Sequence, residues 1–142
     1  MILIVVFLLI GVLVAGLGVA LARDPGPSLD ETALAYEHAW DRLDFDTLWL
    51  LSGPELRDGR SRQDYVEAKR RAYAGRADLA GLAQRIGVDD VTKGAGSASV
   101  TTRVELRDGS VVHDAVLLGR RRNRWEVAGY VLSESGPARP RP

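Results

Sequence analysis

Cysteine is absent from the 142 residues, which excludes disulfide scaffolds, thiolate nucleophiles and cysteine zinc sites and leaves the redox state of the compartment unreadable. Histidine is scarce: His38 and His113 are the only two, and two unpaired histidines do not make a metal site. Net charge is missing as well, because 19 basic residues balance 19 acidic ones. No global field attracts nucleic acid, so a nucleic-acid partner is not expected. Lysine is nearly absent too; Lys69 and Lys93 stand against 17 arginines, a bias that fits coding composition before function. Nothing in the pattern of residues calls for a cofactor or a metal.

Charge is also lacking from the first 22 positions, where an apolar run occupies residues 2–22. As a helix this run spans roughly 30 Å, about the thickness of a bilayer's hydrocarbon core. The expectation is a single-pass transmembrane anchor over residues 1–22 that makes the lipid bilayer a partner and the cell membrane the location. A cleaved signal peptide is the competing reading, since Ala20-Leu21-Ala22 fits a small-x-small cleavage pattern. The missing basic n-region and the length of the run favour the anchor. Arg23 is the nearest fixed positive charge and Asp24 offsets it, so the side of the membrane stays open. Gly11, Ala15, Gly18 and Ala22 form a small-residue stripe that would permit helix pairing.

Arg23 to Pro27 reads as a stiff linker (23–27), because two prolines forbid a continuous helix. A domain over 28–133 follows. Ser28-Leu-Asp-Glu31 has capping-box spacing, and Leu29, Ala33, Tyr36, Trp40 and Leu43 recur at helical intervals. A second short helix over 44–52 is stopped by Gly53-Pro54, and a polar loop (55–60) leads to a third helix capped by Ser61. The last stretch, 134–142, carries three prolines and two arginines and reads as a disordered tail.

From about residue 82 the period changes to alternation, and a curved antiparallel sheet of about four strands is expected. Asp108-Gly109 is taken as a two-residue hairpin turn, which would set Arg103 opposite Asp114 and Val104 opposite His113. A second turn at Arg122-Asn123 would pair Arg121 with Arg124 and Ala115 with Tyr130. On that register His113, Ala115, Leu117, Ala128 and Tyr130 share the inner face with Val104. Trp125, Val127, Val116 and Leu118 fall on the outer face, where an apolar strip would mark a protein or homodimer interface.

This α+β order, three helices and then a curled sheet, resembles the nuclear transport factor 2-like superfamily, the cone-shaped fold shared with ketosteroid isomerase-like and polyketide cyclase-like proteins. The carriers are Ala35-Tyr-Glu-His-Ala-Trp-Asp-Arg-Leu-Asp-Phe-Asp-Thr-Leu48, the Asp108-Gly109 hairpin and Arg120-Arg-Arg-Asn-Arg-Trp-Glu-Val127. Small membrane-anchored bacterial members are similar to this chain. The resemblance implies a cone whose wall, on the register above, carries Tyr36, Trp40, Val104, His113, Ala115, Leu117 and Tyr130.

Enzymes of this fold place a base and a hydrogen-bond donor inside the cone, and His113 and Tyr130 are the candidates here. No inward carboxylate is expected beside them. His38 lies about 200° around the first helix from Tyr36 and should be solvated. Arg120, Arg121, Arg122 and Arg124 cluster at a hairpin tip, where they would be a solvated turn or a contact for anionic lipid. The reading the residues favour is a non-catalytic, membrane-anchored binding module, an accessory to a membrane or envelope complex. The alternatives are an isomerase- or cyclase-like enzyme with an open cone and a structural domain dimerised through its anchor.

Overall fold

The structure is a computed structural model that describes residues 26–132. The expected anchor (1–22), most of the linker and the tail (134–142) lie outside the described residues. Among the described residues no helix is long and apolar enough to cross a membrane.

Helix α1 (Leu29–Asp41) starts at Ser28, whose side chain accepts from the Glu31 N–H while the Ser28 N–H donates to Glu31 Oε2 at 2.8 Å. That reciprocal pair satisfies two of the N–H groups a helix start leaves open. The chain turns at Leu43, which adopts a positive φ of 52°, and Asp44 then caps α2 (Phe45–Leu51) through the Thr47 N–H. A third helix, α3 (Pro54–Arg57), is one turn long and occupies the segment read from sequence as a polar loop. Pro54 at its first turn, where no N–H partner is needed, explains the difference. Ser61 caps α4 (Arg62–Ala72), and a 3-10 turn at Ala77–Leu79 precedes the sheet.

Four antiparallel strands follow in the order β1 (Ala83–Lys93), β2 (Ser97–Leu106), β3 (Val111–Arg121) and β4 (Arg124–Leu132). Three register shifts, which leave Gln84, Asp89 and Ala128 as extra residues, interrupt the ladders. Such bulges increase local twist and curl the sheet around its contents. The helices cover the concave face. Ala33, Leu48, Val100, Val116 and Val127 are fully excluded from solvent. Each fully buried Val or Leu contributes roughly 1.5–3 kcal/mol. Ser52 and Gly53 fasten the helical layer to the sheet: Ser52 bridges Val127, and the Gly53 N–H donates to the Val127 carbonyl at 2.7 Å.

The first hairpin differs from the expected two-residue turn. Leu106 N–H donates to the Ser110 carbonyl, so the loop holds three residues, 107–109, with Gly109 at φ 86°. A three-residue loop closed by a left-handed glycine is the next most common hairpin connection after the two-residue ones. Arg103 therefore pairs with His113, and Thr102 with Asp114. A one-residue slip reverses the faces of a strand. His113, Ala115 and Leu117 accordingly leave the inner wall, while Val116 and Leu118, expected outside, enter the core. The Arg122-Asn123 turn does pair Arg121 with Arg124, both turn residues having positive φ. The bulge at Ala128 then moves the rest of β4 by one position, so Ala115 meets Val131 and Tyr130 meets Val116. Val127, on the turn side of that bulge, stays opposite Leu118 and turns into the core with it, and Trp125 packs against that core.

Candidate functional site

A cavity of about 330 Å³ opens between α1 and the concave face of the sheet, and Tyr73 and Leu79 complete its wall. Trp40, Phe45, Tyr36 and Tyr73 form a chain of ring contacts with centroids 5.5–6.5 Å apart, yet they leave this space open. The wall is largely aliphatic: Leu43, Leu82, Ile86, Val104, Leu106, Val112 and Leu132 all border it. A second depression of about 480 Å³ lies between α2 and α4, lined by Gln63, Val66, Glu67 and the exposed ion pairs of Arg62 and Arg70 with Asp46. Exposed pairs of that kind contribute little and define no chemistry.

The polar part of the cone is a cluster of four side chains from four elements. Glu37 comes from α1, Thr102 from β2, Asp114 from β3 and Tyr130 from β4. The Tyr130 hydroxyl lies 2.9 Å from Glu37 Oε2 and 2.9 Å from Asp114 Oδ2, and Thr102 Oγ1 donates to Glu37 Oε1 at 2.6 Å. Glu37 and Asp114 are each 4% exposed. A phenol carries one proton and can donate to one acceptor at a time. Both short contacts are satisfied together when one carboxyl is protonated and donates to the phenol oxygen. Burial pushes the Glu37 carboxyl above its ordinary range; the hydrogen bonds from Thr102 and Tyr130 oppose that push, and the neighbouring Asp114 adds to it. Burial first, and then the two carboxyl groups, hold the Tyr130 phenol well above its ordinary range, so it stays protonated.

Of the residues expected on the wall, Trp40, Val104 and Tyr130 border the cavity. Tyr36 sits behind it, with its ring 5.6 Å from that of Tyr130. Ala115 and Leu117 lie on the outer face, and Leu117 is 40% exposed. His113 is also outside, where its Nε2 lies 3.1 Å from Asp89 Oδ2, so it cannot act with Tyr130. The partners of Tyr130 are instead Glu37 and Asp114, the inward carboxyl groups that the sequence reading did not expect. Glu37 had a usable signal: it follows Leu29 by eight residues and Ala33 by four, which puts it on the apolar stripe. His38 is exposed. Arg121 of the basic hairpin tip is bound to Glu55, and Arg120 donates to Asn123.

The arrangement offers a phenol hydroxyl set between two buried carboxyl groups beside an apolar space. Among the described residues no group of three or more His, Asp or Glu is placed to hold a metal ion.

No family model matches the chain, and no curated protein matches it. Among solved structures it is similar to a protein from Campylobacter jejuni described as an NTF2-like transpeptidase, with a TM-score of 0.52 and 16% sequence identity. The match covers 67% of this chain and 92% of that one. At that identity the likeness concerns the fold alone: the chain folds as a nuclear transport factor 2-like cone.

Proposed function

We propose that this chain is a membrane-anchored, non-catalytic binding module of bacterial type, whose cone receives a small ligand with an apolar body and one polar head. One observation carries the reading: an aliphatic cavity of about 330 Å³ with the Glu37, Tyr130 and Asp114 cluster at one end. Ligand sites are typically concave and mostly apolar, with a few convergent polar groups that fix orientation. The anchor rests on the uncharged run 2–22, long enough to cross a bilayer. A protein partner, or a second copy, would meet the outer sheet face, where Leu117 and Val131 are exposed.

The test is an NMR titration of the full chain in detergent micelles with phenethyl alcohol. Trp40 borders the cavity, so its indole resonance should move while those of Trp49 and Trp125 stay in place. Equal movement of all three, or none, overturns the reading.

A second reading is an isomerase-type enzyme, favoured by the Tyr130 hydroxyl set 2.9 Å from each of two buried carboxyl groups. Such a cluster is suited to polarise a carbonyl and move an adjacent proton. It requires that the full chain accelerate deuterium uptake into a small cyclic ketone and that Tyr130→Phe remove the acceleration.

A further inference from the structure

Resting on the cavity as a ligand site, we infer that the cone selects a small apolar amine in its protonated form over neutral or anionic molecules of the same shape.

The first ground is the sign of the lining. Glu37, Asp41 and Asp114 border the cavity, and among the described residues no Lys, Arg or His does. The second is the number of protons available. The two contacts of Tyr130 call for one proton between Glu37 and Asp114, which leaves the second carboxyl group ionisable. Asp41 adds a further carboxyl group at the wall, where its Oδ1 accepts from the Ala83 N–H at 2.8 Å. A guest carboxylate or phosphate would therefore meet charge of its own sign, in surroundings whose aliphatic walls weaken screening. An ammonium meets the opposite sign and brings two or three N–H donors to carboxyl oxygens.

The third ground is the ring faces. Trp40 and Tyr73 stand in the wall with centroids 5.8 Å apart. Aromatic faces attract cations, and Lys69 on α4 holds its ammonium 5.3 Å from the Trp40 ring centroid, while the Tyr73 ring carries no such partner among the contacts of the described residues. The fourth is the rim. Leu82 and Leu132 border the cavity and are 43% and 70% exposed, apolar surface that a hydrocarbon body would cover. The polarity thus runs from a leucine-lined rim, with Asp41 beside Leu82, to the buried acids Glu37 and Asp114. A guest of the same polarity has its nitrogen inside and its carbon skeleton at the rim.

The experiment compares three probes that share one phenyl body and differ in the head group: phenethylamine, phenethyl alcohol and hydrocinnamate. Each is titrated at neutral pH into the full chain in micelles, with the Trp40 indole resonance as readout and those of Trp49 and Trp125 as controls for micelle partitioning. Expected is half-saturation by the ammonium at about a tenfold lower concentration than by the alcohol, the scale of one partly screened charge contact, with no response to the carboxylate. The double variant Glu37→Gln/Asp114→Asn should bring the ammonium to the level that the alcohol reaches on the same variant, and an amide spectrum with the dispersion of the wild-type domain shows that the variant is folded. If the wild-type chain takes the alcohol as well as the ammonium, the selectivity is overturned and the cavity reading stands. If none of the three probes moves Trp40, both are overturned.

Discussion

The Tyr130 hydroxyl lies 2.9 Å from Glu37 Oε2 and so joins residues 93 positions apart in the chain, one on the first helix and one on the last strand. It lies equally close to Asp114 Oδ2. Tyr130→Phe removes the bridge and leaves two buried carboxyl groups facing each other without it. The expected cost is roughly 1–3 kcal/mol, the usual penalty for stranding a buried polar group, read as a lower denaturation midpoint at unchanged m. A midpoint equal to wild type would mean that the cluster contributes nothing to the fold.

Glu37 gives the stability a pH dependence of definite sign. Its carboxyl holds its proton more firmly in the folded chain than at the ordinary value of 4.5. Between 4.5 and the raised value the folded state binds more protons, so this contribution is complete below 4.5 and is lost as pH rises through that window. Glu31, Asp44 and Asp108 act in the opposite sense at lower pH, since hydrogen bonds hold all three below their ordinary values. Their contributions disappear as pH falls. Denaturant titrations of wild type and Glu37→Gln across the acid range should show the falling slope above 4.5 in the first and not in the second.

Gly109 closes the first hairpin at φ 86°, a conformation that side chains with a Cβ resist. Nothing lies within 4 Å of a Cβ placed there, so the cost of Gly109→Ala is conformational and not a clash. About 1–2 kcal/mol is expected, measurable in the thermal midpoint. An unchanged midpoint would count against the three-residue loop.

Gly53 behaves differently, because its φ is ordinary and its neighbours are close. A Cβ there would lie 2.7 Å from Glu55 Oε2, 2.9 Å from Arg121 Nη1 and 3.3 Å from the Val127 carbonyl. Gly53→Ala should therefore push the Glu55 and Arg121 side chains apart. Arg121 holds the Glu55 carboxyl down at about 2, and in the variant an NMR titration should find it back toward 4.5. A titration unchanged from wild type would show that the ion pair simply slides aside intact.

The helical half of the fold was legible because its signals are local. Ser28 and Glu31 are three residues apart, and the pattern of Leu29, Ala33 and Tyr36 marks a buried stripe whichever way the sheet lies. The sheet was legible as alternation, but its faces depended on the number of residues in the turns. Asp108-Gly109 fits both a two-residue turn and the last two positions of a three-residue loop, and only the second leaves Asp114 inside. Glu37 was hidden for another reason. An acidic residue on an apolar helix face reads as an edge position until its partners, Thr102 and Tyr130, are known, and both lie far away in sequence.

Tyr130 keeps its expected place inside the cone although the loop before β3 holds three residues instead of two and β4 carries an extra residue. The two displacements, one at 107–109 and one at Ala128, cancel at this position. The polar end of the cavity is thus specified by counting as much as by residue type. Deleting Ala128 would keep every acid and every phenol in the chain and yet turn Tyr130 toward solvent. When related chains are compared, the spacing between Asp114 and Tyr130, and whether a bulge falls within it, is then a better criterion for the same site than the presence of the two residues.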